Sequence, residues 1–206
     1  MATVDELEQA AAALAAGRLV VYPTETLYAL GADATSEAAL SRLLDLKGRD
    51  AIKGMSVLVS DVTGVERWLA ASLPPSARAL AERFWPGALT IVVPATERVP
   101  RTLVGASGGI GFRCSPAPDA NALLARFGRP ITATSANPSS RAPAATIADA
   151  RDYFGDRVAA YIDDGARVGS IASTVVEFFQ GSAYLRRAGV IPVAALQEVT
   201  EIEREG

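Results

Sequence analysis

The sequence predicts a single-domain α/β fold, an open, twisted, mixed sheet flanked by helices. Hydrophobic residues make up 50% of the 206 residues and charged residues 21%, which is the balance of a globular chain. Short β-branched runs alternate with amphipathic helical segments over most of the length. Three strand-like runs between residues 89 and 114 follow one another without a helix, so part of the sheet is expected to be antiparallel.

In the first half of the chain, capping residues predict where helices begin and a proline predicts where one strand ends. Thr3 and Glu6 have the spacing of a capping box, and Pro23 ends a strand because it cannot donate to a sheet ladder. Ser36 is placed to cap the second helix, which is followed by the cations Lys47 and Arg49. The predicted elements are helices over about 4–15, 38–46 and 76–84, a short helix capped by Asp61, and strands over 18–22 and 56–59.

The second half of the chain is richer in strands. The glycine cluster at 105–109 does not open a helix, so it predicts a turn before a strand and not a dinucleotide fingerprint. The predicted strands cover 89–93, 101–104, 110–114, 131–134, 158–162, 174–178 and 184–187. The predicted helices are one capped by Asp119 and ended by Gly128, one from Thr146 to Phe154, and one after Pro192.

The lack of histidine and the single cysteine, Cys114, restrict the chemistry. Without histidine the chain has no Ser-His or Cys-His nucleophilic site and no imidazole zinc site. One cysteine excludes an intramolecular disulfide, and its place in an apolar strand favours a core role over a reactive thiol. Catalysis must therefore use lysine, arginine, hydroxyls, carboxylates, backbone amides or a metal held by oxygen ligands.

The net charge of −3 argues against broad, non-specific binding of nucleic acid. No apolar run approaches the roughly 20 residues that span a bilayer, and the N-terminus has no basic region followed by an apolar core. We therefore expect a cytoplasmic protein without a membrane partner.

Hydroxyls and cations gather at the ends of several predicted elements. Each has an ordinary explanation, because cations complement a helix C-terminus and threonine is a common strand residue. Together they suit a nucleoside triphosphate, whose phosphates are held by Arg, Lys, hydroxyls and backbone amides, and the lack of a Walker sequence excludes a P-loop. The residues are Thr24, Thr26, Lys47, Arg49, Lys53, Thr90, Arg113, Thr134, Ser135, Asn137, Ser173, Thr174 and Arg187.

Eight segments, in order, resemble the YrdC/TsaC proteins, which are threonylcarbamoyl-AMP synthases. They are PTETLYALG at 23–31, KGR at 47–49, KGM at 53–55, WPGALT at 85–90, GFR at 111–113, TSANPSS at 134–140, STVVE at 173–177 and RAG at 187–189. The resemblance covers about residues 7–192 of one domain over 1–206, with a C-terminal tail at 193–206. It implies the short form of the family and a YrdC-like fold with a concave, positively charged cavity.

The resemblance also implies a reaction and a set of site residues. L-threonine, bicarbonate and ATP, with Mg²⁺, would give threonylcarbamoyl-AMP and pyrophosphate. The product would feed a downstream tRNA-modifying transferase complex, and contact with tRNA itself is open. The implied roles are catalytic for Lys47 and Arg49; threonine-binding for Thr24, Arg113 and Ser173; and nucleotide-binding for Lys47, Arg49, Lys53, Thr90, Ser135, Asn137 and Arg187. The metal ligands are unknown.

Three positions depart from the family pattern, and two other functions stay open. Ala29 and Ser140 stand where glycine is usual, and Asp50 stands where proline is common. The alternatives are an RNA-binding module in tRNA or ribosome maturation and a carbamoyl-transfer domain of the hydrogenase-maturation type. For the synthase we expect no covalent enzyme intermediate: a carbamate forms without a side-chain catalyst and attacks the α-phosphorus of ATP.

Overall fold

The computed structural model describes residues 1–48, 54–69, 71–167 and 171–204. It confirms the mixed α/β architecture, with helices flanking open mixed sheets. The helices in this part of the chain are α1 (Val4–Ala15), α2 (Glu37–Lys47), α3 (Val62–Leu69), α4 (Pro75–Phe84), α5 (Pro118–Phe127), α6 (Ile147–Phe154) and α7 (Val193–Gln197). Among the residues described, no helix has both the length and the apolar character needed to cross a bilayer.

The strands form two mixed sheets. The strands are β1 (Val20–Pro23), β2 (Tyr28–Gly31), β3 (Ser56–Leu58), β4 (Leu89–Pro94), β5 (Gly109–Arg113), β6 (Ile131–Thr132), β7 (Thr134–Ser135), β8 (Ala160–Tyr161), β9 (Thr174–Phe179), β10 (Ser182–Arg187) and β11 (Glu203–Arg204). One sheet has the order β7-β2-β1-β8, and the other has the order β11-β10-β9-β4-β5-β3-β6. Both contain parallel and antiparallel pairs.

The chain passes between the two sheets at Ala133, which separates β6 from β7. Its backbone N–H donates to the Ser56 carbonyl at 2.7 Å, and the Ser56 hydroxyl donates to the Ala133 carbonyl at 2.8 Å. This crossing brings the β7 end of the smaller sheet against β3 of the larger one. The two sheets therefore share one hollow.

The predicted helix caps at both ends of the chain are present. Thr3 with Glu6, and Thr146 with Asp149, form capping boxes at the starts of α1 and α6. The Ser36 hydroxyl accepts from the Ala39 N–H at 3.3 Å and so begins α2. Each satisfies a helix N–H that has no partner inside its own helix.

Four details of the predicted elements are wrong. Residues 28–31 form a strand that was not predicted. All four residues are buried, so the segment lacks the alternation of apolar and polar residues by which a strand is recognised. Residues 101–103 form a 3₁₀ helix after Pro100, not a strand. The predicted strand over 131–134 is two short strands. Asp119 does not cap α5, because its carboxylate accepts from the Ala2 N–H at 3.0 Å and 3.1 Å.

The hydrophobic core covers only one face of the central strands. Ile91, Phe112 and Val176 point into the larger apolar cluster, which also takes residues from α2, α3, α4 and α6. Because side chains alternate along a strand, Thr90 and Arg113 face the other way. This second face is the floor of the candidate site.

Candidate active site

An open cavity of about 590 Å³ lies over that second face of the larger sheet. Its floor is built from alternate residues of β3, β4, β5 and β9, and its walls include the loop after β1 and the β6–β7 crossing. Seven of the residues predicted to suit a nucleotide line it together: Thr24, Thr90, Arg113, Thr134, Ser135, Ser173 and Arg187.

The strand register explains why four distant sequence segments meet. Thr90 pairs with Arg113 on one side and with Val175 on the other, and Arg187 pairs with Val175. Beside this row the Thr90 and Ser173 hydroxyls share a hydrogen bond of 2.8 Å. Arg187 donates from Nε and Nη2 to the carbonyl and hydroxyl of Ser173, each at 3.0 Å. Two arginines and two hydroxyls are therefore fixed by the sheet.

The Arg113 guanidinium is held by a carboxylate on one side. Its side chain is 8% exposed, and Nη2 donates to Glu25 Oε1 at 2.5 Å and to the Thr26 hydroxyl. The Ser115 hydroxyl donates to the other Glu25 oxygen at 2.5 Å. The buried Arg113 Nε has no hydrogen-bond partner in the part of the chain that the structure describes. Arg113 thus keeps an unused donor, which suits an incoming carboxylate.

The two arginines at this end of the cavity act on one another. Desolvation lowers the pKa of Arg187, and the charge of Arg113 lowers it further. Both causes oppose the cationic form, and an anion placed near both groups would offset them. This end of the cavity is therefore suited to an anionic ligand.

Lys47 is buried at the C-terminus of α2 and holds the loop that carries Ser135. Its Nζ donates to the carbonyls of Ser135 at 2.6 Å and Asn137 at 2.8 Å. In return, the Ser139 N–H donates to the Lys47 carbonyl at 2.9 Å. The other predicted cations, Arg49 and Lys53, lie outside the described residues, as does the Asp50 departure.

Asn137 shapes the same loop from within. Its Oδ1 accepts from the Ser135 hydroxyl at 2.5 Å, and its Nδ2 donates to the carbonyls of Pro138 at 2.9 Å and Arg141 at 2.6 Å. Its polar atoms are directed at the loop itself, so its nucleotide contact remains a prediction. The Ser140 departure is exposed in this loop.

Thr24 is part of a tight turn between β1 and β2. Its hydroxyl donates to the Leu27 carbonyl at 2.6 Å, and Arg167 Nε donates to the Thr24 carbonyl at 3.1 Å. The Ala29 departure lies in β2, where it pairs with Tyr22 and Ser135 in regular strand register. The alanine methyl is therefore compatible with the local backbone.

Sequence reasoning assigned no role to two carboxylates of the site, Glu25 and Glu177. Glu177 lines the cavity on β9, 4% exposed, and its Oε2 accepts from Arg186 Nε at 2.5 Å. The available signal was a single carboxylate inside the apolar run TVVEFF, because a charge in a buried strand needs a partner.

The cysteine and the acidic side chains show no sign of a reactive thiol or of a protein-built metal site in the described residues. Cys114 is 3% exposed, donates to the Ser60 carbonyl at 3.1 Å, and has a pKa raised to about 11 by burial. Within the described ranges, no three His, Cys, Asp or Glu side chains are grouped to hold a metal ion.

Comparison with known proteins gives consistent matches. The Sua5_yciO_yrdC family model, whose description reads "Telomere recombination", matches residues 12–189. The threonylcarbamoyl-AMP synthase of Halorhodospira halophila is 38% identical over 182 residues, which is 88% of this chain and 94% of that protein. The threonylcarbamoyl-AMP synthase of Chromohalobacter salexigens is 38% identical over 185 residues, covering 90% and 98% of the two chains.

A solved structure resembles the whole cavity-bearing fold. The crystal structure of P. abyssi Sua5 complexed with L-threonine superposes with a TM-score of 0.89 at 33% identity. The match covers 96% of this chain but 58% of that longer one.

Proposed function

The chain belongs to the Sua5/YciO/YrdC family, and on that basis we propose that it is a threonylcarbamoyl-AMP synthase. It converts L-threonine, bicarbonate and ATP into threonylcarbamoyl-AMP and pyrophosphate. The observation that carries the proposal is the single cavity in which Arg113 and Arg187 converge with the hydroxyls of Thr90 and Ser173. The proposal includes a cytoplasmic location and delivery of the product to a tRNA-modifying transferase complex.

In this mechanism Arg113 receives the threonine carboxylate. A guanidinium binds a carboxylate through paired N–H donors, and the buried Nε of Arg113 has such a donor to offer. Thr24 and Ser173 lie in the same cavity and fix the rest of the amino acid. The amine then combines with bicarbonate, with loss of water, to form the carbamate.

The nucleotide is held by a second group of residues. Arg187, Thr90 and Ser135 bind its phosphates from the cavity wall, while Lys47 and Asn137 fix the Ser135 loop. Arg49 and Lys53 follow Lys47, the last residue of α2, in the sequence, and they add two cations for the leaving pyrophosphate. Alignment of carbamate oxygen, α-phosphorus and leaving group supplies most of the catalysis.

Mg²⁺ belongs to the proposal as part of the ATP substrate. The ion usually keeps several waters and binds through phosphates and one or two carboxylates, not through a dedicated protein cage. A cavity dominated by arginines and hydroxyls fits that arrangement. When bound, the ion neutralises phosphate charge; the residues of the chain position the reactants around it.

An assay with ATP, labelled bicarbonate and threonine tests the function. Threonine-dependent label in an adenylate, with release of pyrophosphate, supports the synthase. In a second arm, labelled carbamoyl phosphate replaces both bicarbonate and threonine, and label in an adenylate there would instead indicate the carbamoyl-transfer function. No label, together with salt-dependent RNA binding, would indicate the RNA-binding module.

The role of the cations is tested by Lys47→Ala and Arg49→Ala. Both changes are expected to abolish threonine-dependent pyrophosphate release, because Lys47→Ala frees the loop that carries Ser135 and Arg49→Ala removes a cation proposed for the leaving pyrophosphate. Lys47→Ala should also lower the melting temperature, since the Ser135 loop loses two hydrogen bonds to a charged group, worth about 1.5–3 kcal/mol each. Arg42→Ala, on the same helix, is the control for activity; it loses only the hydrogen bond from Arg42 Nη1 to the Gly17 carbonyl. Normal turnover by both variants would contradict the assignment.

A further inference from the structure

The end of the cavity away from Arg113 carries a carboxylate oxygen that has no partner among the described residues. Glu177 is 4% exposed, and Oε2 is engaged by Arg186. No described residue donates a hydrogen bond to Oε1, although the residue lines the cavity. Because Glu177 lines the open cavity, a ligand with an O–H or N–H group can donate to this oxygen.

Gly109 lies beside this oxygen, at a point where the neighbouring atoms leave no room for a side chain. A Cβ at Gly109 would lie 3.0 Å from Glu177 Oε1, 3.4 Å from the Ser107 hydroxyl and 2.7 Å from Val92 Cγ1. A carboxylate oxygen and a hydroxyl therefore both lie close to this point of β5. Gly111 and Arg113 follow on the same face of the strand and also line the cavity.

The two ends of the floor differ in charge. Gly109 and Arg113 are four residues apart on β5, roughly 13 Å at the usual rise of a strand. At the Arg113 end, Arg113 is paired with Glu25, so the charge of Arg187 remains to attract phosphates and carboxylates. At the other end Arg186 balances the charge of Glu177, so that end is close to neutral and its Oε1 attracts hydroxyl or amine donors. A nucleotide lying along this floor therefore directs a neutral, donor-bearing part toward Glu177.

We propose that Glu177 and Ser107 bind the ribose hydroxyls of the nucleotide and so select ribonucleotides over deoxyribonucleotides. The inference rests on the proposed function, because it takes ATP as the substrate. Ribose is the first part of ATP beyond the phosphates that offers hydroxyl donors, and carboxylates bind ribose hydroxyls in other nucleotide sites. Arg186 holds Oε2, which leaves Oε1 directed to the sugar.

Equilibrium binding of ATP and of 2′-deoxyATP and 3′-deoxyATP, each with Mg²⁺, tests the inference without requiring turnover. The natural chain should bind at least one deoxynucleotide about tenfold or more weakly than ATP, as expected for loss of a hydrogen bond to a charged group. Glu177→Gln replaces the carboxylate by a neutral amide, which has one acceptor and one donor group. It should reduce the preference for ATP over the deoxynucleotide to about threefold or less. Ser107→Ala, in an exposed turn, should reduce it by a smaller factor.

The controls separate this inference from the proposed function. Glu198→Gln makes the same charge change at an exposed site and should leave the ratio unchanged. If ATP binds with a ribose preference but threonine-dependent pyrophosphate release is absent, the proposed function fails and the inference stands. No nucleotide binding by the natural chain would overturn both.

Two further outcomes would overturn the inference alone. One is equal weakening of ATP and both deoxynucleotides in Glu177→Gln and in Ser107→Ala, because that pattern indicates a structural role. The other is an unchanged ribose preference with altered discrimination between ATP and inosine triphosphate, because Glu177 would then contact the base.

Discussion

At the scale of single residues, the site depends on buried charges that have fixed partners. Arg113 is paired with Glu25, Lys47 with two carbonyls, and Glu177 with Arg186. Removing one partner of a buried pair usually costs more than the pair itself contributes, because the remaining charge is left without solvent or counter-ion. The positions of these side chains are therefore as important as their charges.

Glu25 is expected to act as a positioning residue for Arg113. In Glu25→Ala the guanidinium loses its anchor, and the KM for threonine should rise about tenfold, near the contribution of one hydrogen bond to a charged group. Glu25→Gln keeps an oxygen acceptor at the same place and should restore most of the affinity. Steady-state kinetics with threonine as the varied substrate measures both.

A uniform loss of kcat in Glu25→Ala and Glu25→Gln, without a change in KM for threonine, would contradict this role. Glu8→Gln, on the exposed side of α1, removes the same charge far from the cavity and serves as the control.

At the scale of elements, the start of β9 is positioned by a glycine from a distant segment. A Cβ at Gly189 would lie 2.3 Å from the Ala172 carbonyl oxygen and 2.4 Å from the backbone of Ser173 and Thr174. All three neighbours are backbone atoms, so the backbone itself would have to move. The glycine permits the close approach that places Ser173 beside Thr90.

Gly189→Ala is accordingly expected to lower both stability and activity. The displaced Ser173 should reduce kcat/KM by at least about tenfold through lost positioning, since small displacements of site residues have large kinetic effects. Ala188→Ser, at the exposed neighbouring residue, should change neither the melting temperature nor the kinetics. Near-normal kinetics in Gly189→Ala would show that β9 tolerates the shift.

The capping box of α6 makes an acid-sensitive contribution to stability. Hydrogen bonds from the Thr146 hydroxyl and backbone hold the pKa of the Asp149 carboxyl below its usual range. The contribution is therefore present above the ordinary Asp pKa and is lost as the pH falls through the lower, folded-state value. Chemical denaturation should show a stability gap between the natural chain and Asp149→Ala at pH 7 that narrows in strong acid.

A gap that stays constant between neutral and strongly acidic pH would contradict this assignment. Asp152→Ala, in the same helix but outside the capping box, controls for general effects of charge on α6.

At the scale of the whole molecule, the sequence predicted the architecture and the set of residues that meet in the cavity. It predicted less well the contacts that hold those residues in place. Arg113, Arg187 and the strand-end hydroxyls were identified because polar groups next to apolar strands are conspicuous. The β1–β2 hairpin was not predicted, because a fully buried strand lacks alternation. Glu25 as the partner of Arg113 was not predicted either, since their pairing spans 88 positions and depends on tertiary folding alone.

Binding of ATP and of threonine is expected to stabilise the whole chain, because residues of both sheets line the cavity. At a hundredfold excess over its dissociation constant, a ligand contributes about 2.7 kcal/mol, or roughly 5–10 °C in melting temperature for a domain of this size. Thermal unfolding with ATP and Mg²⁺, with threonine, and with both measures the effect. D-threonine is the matched control and should give a smaller shift; equal shifts would contradict a stereospecific threonine site.

The reciprocal hydrogen bonds between Lys47 and residues 135–139 make two remote pieces of chain into one mechanical unit. A chimaera that takes the KGR segment from a relative without that relative's SAN loop would place two segments together that have not been matched to make these hydrogen bonds. Chimaeras that move both pieces together should retain activity more often than those that move either one.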